Sequence, residues 1–175
     1  MPKFIAFLRA INVGGHRVKM DYLRQLFESL GFADVGTFIA SGNVVFTTTA
    51  QNAKVLEKKI EEHLHAALGY EVVTFIRTAD ELAYIANYQP FGAAPLAVGA
   101  SCNIGFLKDG LDEKSEQKLL SLRTESDDFH VHGREVYWLC RQRLSDSTFS
   151  LEKILKLRAT FRGANTVKRM AAKYS

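Results

Sequence analysis

The chain has 175 residues, of which 47% are apolar and 24% charged, and carries a formal net charge of +4. This composition excludes a disordered or low-complexity chain, and the length suits one domain or two small ones that bury roughly 70% of the unfolded surface. No apolar run approaches the roughly 20 residues that span a bilayer, so no membrane partner is expected.

The run from Lys3 to Arg9 reads as a buried strand; it is too short for the core of a signal peptide, and the expected location is cytoplasmic. Met20 to Gly31 has the spacing of an amphipathic helix, with Leu23, Leu26, Phe27 and Leu30 on one stripe. Val35 to Ala40 and Val44 to Thr48 then predict two strands joined by a turn through Ser41-Gly42-Asn43. A second helix is expected from Ala53 to Leu68, stopped by Gly69, followed by a strand from Glu71 to Arg77. The order βαββαβ, with right-handed crossovers, gives a four-stranded antiparallel sheet with two helices on one face, the ferredoxin-like arrangement.

Thr78-Ala79-Asp80-Glu81 has the form of a capping box opening another helix. The stretch from Gln89 to Gly99 contains Pro90, Gly92, Pro95 and Gly99, breaks the periodicity and reads as a linker. Beyond it Cys102 to Lys108 reads as a strand, Asp112 to Leu122 as a helix, and Asp128 to His132 with Glu135 to Arg141 as a hairpin turning at Gly133-Arg134. Leu151, Ile154 and Leu155 mark a further helix, and Asn165 can cap a last one. The expected fold class is therefore α+β: a ferredoxin-like half over residues 1–88, a linker over 89–100 and a smaller α+β half over 101–175, with no residue-level repeat evident between them.

Charge is uneven along the chain. From Arg141 to Ser175 nine basic residues face only Asp146 and Glu152, so this stretch carries +7 and the remainder −3. A basic tail suits nucleic acid or a phosphorylated ligand, and equally a solvated helical face. Cys102 and Cys140 are far apart in sequence, lack a CxxC partner and read as reduced, buried thiols.

If the first strand runs upward, the loop after it and the turn between the second and third strands lie at the same end of the sheet. Arg9, Asn12, Gly14, Gly15 and Arg17 would thus neighbour Ser41, Gly42 and Asn43, with the N-terminus of the Met20 helix beside them. Paired glycines admit close backbone approach and guanidinium groups chelate phosphate, which suits an anion. The structural alternative is a loop whose Asn12 bonds its own backbone and whose glycines supply positive φ. Arg162, Asn165 and Thr166 offer a second charge-plus-helix-start pattern, with simple capping as the alternative. His130 and His132 share a strand face and can ligate a metal only with two further groups; the expected state of that face is solvated, and no metal is assigned. Nor do the residues name a cofactor, a reaction or an oligomeric state.

The combination of Leu8-Arg9-Ala10-Ile11-Asn12-Val13-Gly14-Gly15, Ser41-Gly42-Asn43-Val44-Val45-Phe46, the Asn87 to Phe91 segment and Asn165-Thr166-Val167 resembles the bacterial family called domain of unknown function 1697, over nearly the full length. The resemblance implies a two-part α+β protein without an assigned activity. It matches Arg17 to the family's basic loop residue, and Arg162, Asn165 and Thr166 to an Arg-Asn-Trp-Asn-Thr pattern whose aromatic is replaced here by Ala164. The leading functional expectation is a small anionic or phosphate-bearing ligand held between the two halves. The alternative is a nucleic-acid or protein interaction module on the basic C-terminal face, although the third strand lacks the exposed aromatic and glycine-rich pattern of RNA-binding βαββαβ domains.

Overall fold

The computed structural model of the chain describes residues 1–12, 15–39, 42–142, 147 and 149–174. Among them the elements run β1 (Lys3–Leu8), α1 (Met20–Glu28), β2 (Ala33–Thr37), β3 (Asn43–Thr47), α2 (Ala53–Leu68), β4 (Thr74–Thr78) and α3 (Ala79–Asn87). They continue with α4 (Ala94–Ala97), β5 (Ser101–Phe106), α5 (Glu113–Leu120), β6 (Asp127–His132), β7 (Glu135–Cys140), α6 (Leu151–Leu155), β8 (Thr160–Gly163) and α7 (Ala164–Tyr174). The fold is α+β, with two compact units: Met1–Tyr84 together with Met170–Ser175, and Ile85–Arg169. No helix among the described residues is long and apolar enough to cross a membrane.

In the first unit the strands lie in the order β2-β3-β1-β4, all antiparallel. β1 is central because Phe4 to Leu8 are apolar without interruption and all five are buried. Phe4, Ala6 and Leu8 join Val44, Phe46 and Ile76 on the face that receives Leu23 and Phe27 of α1 and Leu56, Ile60 and Leu64 of α2. Each such side chain contributes roughly 1.5–3 kcal/mol by leaving water, and Phe32 stacks on Phe46 at 4.4 Å between centroids. The edge strand β4 is closed by carboxylates: the alternate N–H groups of Thr74, Ile76 and Thr78 donate to Glu61, Glu57 and Glu81 at 2.8, 3.0 and 2.9 Å. Those donors would otherwise stand unpaired along a sheet edge. The Glu81 N–H returns a bond to Thr78 Oγ1 at 3.0 Å, completing the expected capping box.

The second unit repeats this topology. Its sheet has the order β6-β7-β5-β8, again antiparallel, so both sheets place their four strands second, third, first, fourth. Register aligns them residue by residue. Arg77 lies opposite Ile5 and Arg162 opposite Ile104, which superposes Ile5-Ala6-Phe7-Leu8 on Ile104-Gly105-Phe106-Leu107. The same backbone bond follows each first strand, from Leu8 N–H to the Gly42 carbonyl at 2.8 Å and from Leu107 N–H to the Arg134 carbonyl at 3.0 Å. Ala159 N–H donates to Glu152 at 3.0 Å, as Thr74 N–H does to Glu61. The repeat is one of topology: the matching residues are few, and strand pairing is needed to align them.

Four further differences appear in the structure. Thr160-Phe161-Arg162-Gly163 lacks apolar alternation and reads as loop, yet pairing with β5 makes it a strand. Because α7 continues directly from it, Asn165 stands inside the first turn and is not the cap. The expected linker holds the short helix α4. The face carrying His130 and His132 is covered: Tyr88 lies 2.7 Å by its hydroxyl from His130 Nε2 and stacks on His132 at 4.3 Å, and Tyr137 beneath is buried.

Candidate functional site

At one end of the first sheet the register Phe7↔Asn43 brings the loop after β1 beside the connection from β2 to β3. Gly42 has φ +80°, and a Cβ there would stand 2.9 Å from Ile11 Cγ2 and 3.2 Å from Leu8 Cβ, so the two segments pack directly. Asn12 Oδ1 accepts the Val18 N–H at 2.9 Å and closes the loop on itself. Asn43 is buried, and its Nδ2 donates to the Phe38 carbonyl at 2.9 Å. Arg9 is half-buried, its N–H on the Val73 carbonyl at 2.9 Å, while Gly15 and Arg17 are exposed. Gly14 and Ser41 lie outside the described residues. Tyr70, which the sequence did not single out, pins the loop: its hydroxyl donates to the Ile11 carbonyl at 2.8 Å and its ring stacks on His16 at 3.8 Å. At this end Leu8 and Ile11 pack on Gly42, and Asn12 and Asn43 bond to Val18 and Phe38.

The second unit arranges its residues differently. Arg162 is 9% exposed, and its Nη1 donates to Thr160 Oγ1 at 2.8 Å and to the Phe161 carbonyl at 3.0 Å. Burial lowers its pKa to about 10, so it stays charged at neutral pH, enclosed in the fold. Asn165 and Thr166, by contrast, open onto a cavity of about 290 Å³ at the start of α7, with Ser101, Asn103 and Gly163 in its wall and Leu96 and Ala100 at its side. Asn103 is 9% exposed, and its Nδ2 is buried without a hydrogen-bond partner. An unmade bond on a buried amide costs about 1–3 kcal/mol. No acidic residue stands in the first turn of α7, so its N-terminal amides and partial positive charge are not answered there by a carboxylate. Cys102 also borders the cavity, and burial raises its thiol to about 11 against the pull of Lys168, which makes it a poor nucleophile at neutral pH.

Residues 1–137 match the family described as "Protein of unknown function (DUF1697)". The chain belongs to that family. Among solved structures, this DUF1697 protein is similar to the conserved bacterial protein SP0830 from Streptococcus pneumoniae, with 24% identity, a TM-score of 0.76, and coverage of 99% of this chain and 98% of that one. At that identity the likeness concerns the fold. No curated protein matches the chain. In this DUF1697 protein the matched residues include Ser101 and Asn103 of the cavity wall, whereas Gly163, Asn165 and Thr166 lie beyond them.

Asn103 and Ser101 escaped the reading of the sequence. The available signal was an amide in the otherwise apolar run Cys102-Asn103-Ile104-Gly105-Phe106-Leu107, since a polar residue on a buried strand calls for a partner.

Proposed function

We propose that this DUF1697 protein binds a small anionic molecule within its second unit, in the cavity walled by Ser101, Asn103, Gly163, Asn165 and Thr166. The observation that carries the reading is the buried Asn103 Nδ2 without a partner beside the start of an eleven-residue helix. A stranded donor next to a helix N-terminus that has no acidic residue in its first turn is stabilised by an acceptor with negative charge. The two free thiols fit the cytoplasm as the place of action.

Isothermal titration with a panel of small anions tests the proposal. Wild-type protein binds at least one of them saturably, and Asn103→Leu weakens that binding at least tenfold. A panel without a binder, or an affinity unchanged in Asn103→Leu, overturns it. Binding in a small pocket depends weakly on ionic strength; a steep fall with salt would instead direct attention to the basic residues between Arg141 and Lys173.

A further inference from the structure

The two units contain the same helix start in two states, and the comparison indicates what the open one accepts. In the first unit Thr78, the last residue of β4, lies opposite Phe4; in the second Gly163, the last residue of β8, lies opposite Asn103. The alignment that pairs Arg77 with Arg162 therefore pairs Thr78 with Gly163, Glu81 with Thr166, and Phe4 with Asn103. At α3 the chain supplies its own ligand: Glu81 Oε1 accepts the Thr78 N–H at 2.9 Å and Thr78 Oγ1 accepts the Glu81 N–H at 3.0 Å. At α7 the capping hydroxyl is absent because Gly163 has no side chain, and the carboxylate is replaced by the shorter Thr166. The aromatic filler is replaced by an amide whose Nδ2 has no partner. Strand alternation sends the Gly163 N–H away from β5, in the direction in which Ala159 N–H meets Glu152.

Resting on the anion-site reading above, we infer that the ligand carries a carboxylate, which takes the place at α7 that the Glu81 side chain takes at α3. Charge supports this class over a phosphate. A helix N-terminus offers about half a positive charge and, among the described residues, no arginine or lysine lines this cavity, Lys168 acting only on Cys102 at its border; one negative charge is therefore matched better than the nearly two of a phosphomonoester. The remaining wall gives the ligand's body its character. Thr166 and Ser101, whose hydroxyl donates to the Cys140 carbonyl at 3.5 Å, line it with the apolar Leu96 and Ala100, which suits a small aliphatic acid bearing a polar substituent.

The test follows the Asn103 side-chain amide by nuclear magnetic resonance in the full chain, with acetate, lactate and succinate in one arm and inorganic phosphate and glycerol phosphate in the other. Movement of the Asn103 NH2 resonances saturates with at least one carboxylate and is at least tenfold weaker with either phosphate. If only the phosphates move them saturably, the carboxylate inference falls and the anion site stands; if no probe moves them, both fall. The double substitution Gly163→Thr with Thr166→Glu rebuilds the α3 cap at α7. Its thermal midpoint rises and its response to the carboxylates is lost. A rebuilt protein that still binds them as wild type does would overturn the assignment of the carboxylate to this helix start.

Discussion

Arg77 and Arg162 occupy the same position in two copies of one topology, opposite Ile5 and Ile104, and each turns its Nη1 onto the carbonyl of the residue before it, at 2.9 and 3.0 Å. Both are buried. An arginine that recurs in this way serves the fourth strand of each sheet, and this separates Arg162 from the neighbouring Asn165 and Thr166, which line the cavity.

From this it follows that Arg162→Ala lowers stability without changing anion affinity. Loss of the buried stem and its hydrogen bonds costs about 2–4 kcal/mol. Urea unfolding reads the loss, and titration of the surviving folded protein reads the affinity. A weakened affinity with little loss of stability would return Arg162 to the binding site.

Gly42 joins the loop after β1 to the β2–β3 connection. Gly42→Ala places a methyl 2.9 Å from Ile11 Cγ2 in a backbone conformation of φ +80°, and the two penalties together come to roughly 2–4 kcal/mol. Gly15, at φ +84° with open space around it, carries only the conformational term, so Gly15→Ala costs about 1 kcal/mol. Denaturation midpoints of the two variants give the comparison; equal losses would contradict the packed arrangement at Gly42.

Stability also responds to pH through His130. Burial, with the charges of His132 and Arg123, holds its pKa below the ordinary 6.5 despite Glu116 and Asp128 acting in the opposite sense. A base whose folded pKa is depressed binds fewer protons folded than unfolded between the two values. Its contribution is therefore lost as pH falls from about 6.5 toward the folded pKa, and is constant above. Unfolding measured at pH 7.5 and at mildly acidic pH shows that decline in wild type and a smaller one in His130→Gln. An equal decline in both would remove His130 as its source.

How far these relationships can be read without coordinates varies by element. β1, α1 and α2 announce themselves because long apolar runs and helical stripes are local properties, and the capping box at Thr78 is written in two residues. The juxtaposition of the two loops at the end of β1 follows from strand direction alone. What those loops do was open, since Asn12 and Asn43 bind backbone or ligand equally well by residue type, and only geometry commits them to Val18 and Phe38. β8 is hidden because its four residues become a strand through pairing with β5, 54 or more positions away. The cavity was hidden for the same reason: Asn103 and Thr166 meet only once that pairing is made.

The capping box offers an internal control for the cavity. Thr78→Ala removes one partner of a closed cap and costs about 1 kcal/mol, whereas Thr166→Ala, at the matching position of an open helix start, costs less than about half of that. Thermal unfolding of both variants decides it; a Thr166→Ala loss as large as that of Thr78→Ala would mean that α7 is capped by its own side chain.

The most direct test of the anion site is the stability of Asn103→Leu, measured by urea unfolding without added anion and again with a binding anion at a hundred times its dissociation constant. Removing an unsatisfied buried amide makes the free variant more stable than wild type by roughly 1 kcal/mol, while the added anion stabilises wild type by about 2.7 kcal/mol and the variant by no more than about 1.4 kcal/mol. A variant that is less stable than wild type when free, and that gains as much from the anion, would contradict the account.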